Sequence, residues 1–184
     1  MRVIVPLASG VEEIEAITIL DVLRRGGVAA VGVSTDDEAG LDIEGGHGLG
    51  LVADELWDEA DVDSADMIVL PGGGGGMRRL LADERVLEAL RRFNAAGKLV
   101  GAICAAPAVL QAAGVLAGRK AVCYPGLESY IQDAQVQKGA DVVRDGNIVT
   151  GSGPGTAMAF ALAVLEMLAG AKMRDEVAKA LLVD

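Results

Sequence analysis

Short apolar runs recur along this chain, each followed by a stretch with helical spacing, and no other feature limits its fold as tightly. RVIVPL reads as a buried strand. It leads into VEEIEAITILDVLRRGG, in which Ile14, Ile17, Leu20 and Leu23 recur at helical intervals before a stop at Gly26 and Gly27. VAAVGVS, DMIVLPGGGGG and KLVGAI repeat the strand pattern, and RKAVCYPG and GNIVTGSGPG add two further strands. Helices are predicted over MRRLLADERVLEALRRFNAAG, broken near Asp83, over APAVLQAAG as far as Gly114, over TAMAFALAVLEMLAG and over AKMRDEVAKALLV. LDIEGGHGLGLVAD reads as a glycine-interrupted strand pair. Strands that alternate with helices pair in parallel through right-handed crossovers, which places helices on both faces of one sheet. The expectation is therefore an α/β sandwich with a mostly parallel sheet, one domain over residues 1–184, with no linker or internal repeat.

Composition narrows the function. Apolar residues make up 52% of the 184 but aromatics only 3%, so Ala, Val, Leu and Ile must fill the core. The net charge of −11 opposes attraction to phosphate backbones and anionic bilayers, which argues against nucleic-acid and membrane partners. The opening MRVIVPLASG is too short an apolar stretch for a signal peptide, and no run approaches the ~18 residues of a spanning helix, so a cytoplasmic location is expected. Two cysteines make no disulfide framework, and one histidine, His47, cannot complete the four-ligand Cys/His zinc arrangements. No metal and no cofactor are expected.

In a sheet of this kind ligands sit outside the carboxyl ends of the strands. That directs attention to the loops at 8–15, 71–76, 104–107, 124–126 and 151–156. Cys104 falls where a strand hands over to a helix, between the small residues Ala102 and Ala106, with Pro107 suited to the first helical turn. Amides and dipole at that end should ease loss of the thiol proton, although a free cysteine is often no more than a small core hydrophobe. Glu12, Glu13 and Glu15 open the first predicted helix, where acids complement the helix terminus; Glu15, between Ile14 and Ala16, is the one placed to face inward and hold its proton. The glycines at 72–76 carry no phosphate-loop Lys-Ser/Thr and have the wrong spacing for a dinucleotide fingerprint, which leaves an oxyanion-binding loop or a plain turn. GSGPGT at 151–156 fails the dinucleotide spacing too. His47 reads as a surface loop histidine. Cys123 reads as a core residue.

Taken together, EEIEA, VLPGG, AICAAP and TGSGPGTAMAFALAVLEMLAG resemble, in order and over essentially the whole chain, the signatures of the ThiJ/PfpI superfamily, in its Parkinsonism-associated protein deglycase branch, as a bacterial-type member. The resemblance implies a flavodoxin-like fold with a nucleophile elbow at Cys104, a carboxyl partner at Glu15, an oxyanion pocket formed by the amides of Gly73 and Ala105, and a homodimer. Two departures go with it. Tyr124 stands where many relatives have a histidine, and His47 where relatives carry an arginine that approaches the neighbouring subunit's pocket, which leaves Tyr124 and His47 as candidate pocket residues.

The activity so implied is conversion of reactive α-oxoaldehydes, such as methylglyoxal and glyoxal, or their early adducts on thiols and amines, to hydroxy acids. Cys104 would add to the aldehyde and Glu15 would move a proton between adjacent carbons. The alternative is a redox-sensing or chaperone-like protein in which Cys104 is oxidised to a sulfinate. Cysteine-peptidase chemistry is disfavoured because a tyrosine at 124 is no base near neutral pH.

Overall fold

The computed structural model describes residues 1–183. In chain order the strands are β1 (Arg2–Leu7), β2 (Ala29–Ser34), β3 (Asp42–Glu44), β4 (Gly50–Val52), β5 (Glu55–Leu56), β6 (Met67–Leu70), β7 (Leu99–Ile103), β8 (Lys120–Ala121), β9 (Gln135–Val136), β10 (Val142–Asp145) and β11 (Ile148–Gly151). The helices are α1 (Glu13–Arg25), α2 (Gly74–Ala82), α3 (Glu84–Ala95), α4 (Pro107–Ala112), α5 (Ala157–Ala169) and α6 (Ala171–Ala180).

Seven strands form the main sheet in the order β10-β11-β7-β6-β1-β2-β5. All pair in parallel except β10, which returns antiparallel along β11. Setting the edge strands β5 and β10 aside, the order along the chain is 2-1-3-4-5, the flavodoxin-like arrangement. Helices α1 and α5 pack together on one face with α6 behind α5, while α2, α3 and α4 pack together on the other. Strands β1, β6 and β7 are almost wholly buried, as continuous apolar runs in a sheet covered on both sides must be. Phe93 from α3 and Phe160 from α5 are the largest fully buried side chains. The chain leaves β1 for β2 on one side and later returns to β6 on the other. The loops following β1 and β6 therefore splay apart at the point where such sheets accept ligands.

Four sequence expectations need correction. Ile14 and Ile17 of α1 are 57% and 51% exposed and Leu20 is half-buried; the face against the sheet is Glu15, Ala16, Ile19, Val22 and Leu23. The helix carries two apolar stripes, and the one with alanine at its centre permits the closer approach. Helix α2 begins inside the glycine run, at Gly74, because the loop before it packs too tightly to admit side chains. The break near Asp83 is present, and the Asp83 carboxylate caps α3 by accepting the Arg85 N–H at 2.9 Å. RKAVCYPG contributes only β8, which pairs with β9 outside the main sheet. Strand β10, not anticipated, forms a hairpin with β11 through Gly146 and Asn147, and the Asp145-Gly146 pair is a turn signal that was there to be read.

Candidate active site

Strand β7 ends at Ile103, and Cys104 turns the chain toward α4 with φ +64°. Among the described residues only Leu182 shares positive φ without being glycine. Holding a side chain in that region costs roughly 1–3 kcal/mol, so the surroundings must enforce it. They do so from both sides: the Cys104 N–H donates to the Gly151 carbonyl at 2.9 Å, and the Cys104 carbonyl accepts the Tyr124 N–H at 2.8 Å. Ala105 and Ala106 keep the turn slim, Ala106 N–H donates back to Ile103, and Pro107 opens α4.

The loop after β6 approaches this elbow. The Gly72 N–H donates to Glu15 Oε2 at 2.7 Å, and a Cβ at position 72 would lie 2.7 Å from Cys104 Cβ and 2.8 Å from that oxygen. Only glycine fits between them. Gly73, at φ +95°, then turns its N–H toward the Cys104 sulfur, where it is joined by the N–H of Ala105. The loop after β1 closes the other side, with Glu12 N–H donating to the Gly72 carbonyl at 3.0 Å and Gly10 packed directly on Gly75.

Glu15 has no exposed surface. Its Oε1 is buried without a hydrogen-bond partner, and its carboxyl faces the Cys104 thiol. Burial pushes the Glu15 carboxyl up to about 7, against the Gly72 N–H and the thiol, which favour its ionised form. The thiol is pushed up to about 12, first by burial and then by the Glu15 charge, although the Gly73 and Ala105 amides act in the opposite sense. Sequence reasoning expected the helix terminus to make Cys104 more acidic. At the resting site burial and the neighbouring carboxylate outweigh that terminus, and the thiol keeps its proton.

Of the residues singled out from sequence, Cys104, Glu15, Gly73 and Ala105 thus converge on one point. Gly72 was read only as part of the glycine run at 72–76, and its contact with Glu15 was not anticipated. Tyr124 abuts the elbow through its backbone, while its ring packs against Gly153 and remains 47% exposed. His47 lies instead on the turn between β3 and β4, where its Nδ1 is 2.9 Å from Glu13 Oε2. Because there is no second histidine, the chain itself offers the thiol no imidazole base. Cys123 is buried on the segment after β8, and its thiol is pushed up to about 11 by burial and the charge of Glu128.

Comparison with known proteins agrees with this geometry. Residues 1–167 match the model of the DJ-1/PfpI family. The chain is 41% identical over 187 residues to "Protein DJ-1 homolog B" of Arabidopsis thaliana, an alignment covering 99% of this chain but 41% of the plant protein, so it spans about two fifths of that relative. It is 33% identical over 171 residues to "Glutathione-independent glyoxalase DJR-1.2" of Caenorhabditis elegans, covering 92% of this chain and 89% of the other. The crystal structure of Drosophila melanogaster DJ-1beta superposes with a TM-score of 0.95 at 37% identity, covering 100% of this chain and 98% of that one. An elbow cysteine at positive φ, a buried carboxyl beside it and a flavodoxin-like sheet beneath are thus set in a chain that belongs to the DJ-1/PfpI family.

Proposed function

We propose that this protein converts small α-oxoaldehydes to hydroxy acids, with Cys104 as nucleophile and Glu15 as proton carrier. The observation that carries the reading is the convergence of the Cys104 sulfur, the fully buried Glu15 carboxyl and the amides of Gly73 and Ala105. The name of the nematode relative, a glutathione-independent glyoxalase, supports it.

With methylglyoxal, the sulfur adds to the aldehyde carbon as Glu15 takes the thiol proton. The oxygen that gains charge is held by the two amides and is protonated to a hemithioacetal. Glu15, ionised again, removes the hydrogen from that carbon. The electron pair moves to the adjacent carbonyl to give an enediol, and return of the proton to the neighbouring carbon yields a thioester of lactate. Water cleaves the thioester and restores the thiol. The oxidation of one carbon and the reduction of its neighbour balance, so no external electron carrier is needed. A carboxyl poised near 7 suits both directions of proton transfer. Early adducts on thiols and amines enter the same sequence wherever they release or present the aldehyde.

Lactate formation by wild type, Cys104→Ala and Glu15→Gln under reducing conditions tests the proposal. Product from wild type above the Cys104→Ala background supports it, and equal product from both defeats it. A second reading, oxidation of Cys104 to a sulfinate as a sensing or chaperone-linked step, draws on the same two amides and on a Glu15 able to donate a proton. Selective gain of two oxygens at Cys104 under mild peroxide, seen by intact mass, is its test.

The partner is proposed to be a second copy of this chain. Ile14 and Ile17 of α1 and Leu49 and Val52 of the adjoining hairpin expose between 51% and 73% of their surface on neighbouring elements. Sedimentation of Ile14→Asp/Ile17→Asp beside wild type tests that pairing, with a shift toward monomer expected.

A further inference from the structure

We propose that Tyr124 is a positioning residue: its ring, pressed onto the main chain at Gly153, latches together the two segments that hold Cys104 at positive φ. One segment ends β11 and offers the Gly151 carbonyl to the Cys104 N–H at 2.9 Å; the other follows β8 and donates the Tyr124 N–H to the Cys104 carbonyl at 2.8 Å. On the near side of the elbow these segments are joined by the Val122 N–H, which donates to Thr150 Oγ1 at 2.9 Å. On the far side the Tyr124 ring makes the next tie. A Cβ on residue 153 would stand 3.1 Å from Tyr124 Cδ2 and 3.5 Å from Cε2, so the ring fills the space that a side chain there would need. The main chain does not itself call for glycine, since φ 168° is an extended conformation open to any residue. Glycine at 153 and the ring at 124 are therefore matched to each other by shape.

The two sides of the contact differ in stiffness. Gly153 is held by Thr156, whose N–H and hydroxyl both donate to the Gly153 carbonyl at 2.9 Å and whose Oγ1 accepts the Gly153 N–H at 3.2 Å. Next to it the Ser152 N–H donates to the Asp141 carbonyl at 2.9 Å. Tyr124 instead opens a turn closed by the Leu127 N–H on its carbonyl at 3.0 Å, with half of its surface in water. The ring is thus the movable half, seated on a fixed one. Its contacting atoms are ring carbons, so the ring and not the hydroxyl carries the role. A cysteine at φ +64° returns to an ordinary conformation once the bonds that enforce it slacken. Its sulfur then leaves the Gly73 and Ala105 amides and the Glu15 carboxyl. Burial first and the Glu15 charge second push the thiol up to about 12, so release lets it ionise more readily while parting it from its proton carrier. Loss of the latch therefore raises thiol reactivity and lowers turnover together.

The part in turnover rests on the aldehyde chemistry proposed above, whereas the hold on the thiol does not, and the experiment reads each separately. Tyr124→Ala, Tyr124→Phe, Gly153→Ala and the Tyr124→Ala/Gly153→Ala pair are compared with wild type in the full chain. Iodoacetamide labelling of Cys104 at pH 8, followed by peptide mass, should quicken more than about tenfold in Tyr124→Ala, the change in thiolate that one pH unit of easier ionisation gives. In the same variant kcat for methylglyoxal should fall more than about tenfold with KM held within about threefold. Tyr124→Phe, which keeps the ring, should restore both. Gly153→Ala should shift both in the same direction by tilting the ring, and should add nothing to Tyr124→Ala. Cys104 labelling unchanged in Tyr124→Ala overturns the latch, as does Tyr124→Phe behaving like Tyr124→Ala. Quickening that grows steeply in low urea reports unfolding and also counts against it; quickening indifferent to low urea is the local release expected. Faster labelling in variants of a protein whose wild type forms no lactate keeps the latch and defeats the aldehyde reading. Should Tyr124→Ala not fold, Gly153→Ala decides.

Discussion

The two cysteines of this chain lie in regions that share burial and differ in almost everything else. Both thiols are free, both are buried, and burial is the largest influence pushing each up. Cys104 occupies a strained φ locked by hydrogen bonds from two neighbouring segments, with two amides and a buried carboxyl around its sulfur. Cys123 lies beyond a two-residue strand, with the Glu128 charge as its one further influence. Low acidity at rest therefore does not separate the proposed nucleophile from the second thiol. The difference is whether the surroundings can take the proton away and hold the charge that develops.

The largest expected effect tests that difference directly. Cys104→Ala should reduce lactate formation from methylglyoxal to background, while Cys123→Ala stays within about twofold of wild type; comparable losses in both would break the contrast. Glu15→Gln should follow with a loss of roughly 10²–10⁴-fold and should abolish a rise in rate centred near pH 7.

The same carboxyl sets a stability effect. Its folded value of about 7 exceeds its ordinary value of 4.5, so the folded state binds more protons between those limits. Stability from this group is complete below about pH 4.5 and is lost as pH rises through about 7, by up to about 3 kcal/mol. Glu15→Gln should thus melt higher than wild type at pH 8, with the gap closing toward pH 5. Gly72→Ala, which drives a methyl between Cys104 and Glu15, should cost on the order of 1–3 kcal/mol by chemical denaturation and depress activity beyond the loss of folded protein.

The smallest effect concerns Glu13. Burial alone would raise its carboxyl, but the His47 side chain and the N–H groups of His47 and Leu49 outweigh burial and bring it down to about 2. Its contribution is present above pH 4.5 and fades as pH falls toward 2. Glu13→Gln should lower the melting temperature at pH 7 by a few degrees, with the difference shrinking on acidification.

The sheet was legible in the sequence because a strand buried on both faces is an uninterrupted apolar run, as at β1, β6 and β7. Edge strands gave weaker signals. Two-residue β5, β8 and β9 carry no periodicity, and β10, with no fully buried residue, was marked only by its Asp145-Gly146 turn. Spacing misjudged α1, since Ile14 and Ile17 satisfy the helical interval as well as Ile19 and Val22, and only the tertiary neighbours decide which stripe turns inward. At the candidate site, Cys104 and Glu15 could be named from motif and position. The proton balance between them could not, because it depends on depth and on the approach of Gly72, and neither is written in local spacing. The pairing of His47 with Glu13 was hidden for a similar reason: 34 residues separate them, and only the hairpin brings them together.

Gly10 against Gly75 is a meeting of bare main chains, with Gly75 Cα only 2.6 Å from where a Cβ on residue 10 would stand. A rotamer hop can loosen a cradle lined by long side chains well before a protein melts, but this seam has no rotamers to hop. Warming should therefore leave the amide spacing around the sulfur nearly constant until the two loops part together, and turnover should climb smoothly with temperature and then stop sharply at the unfolding transition.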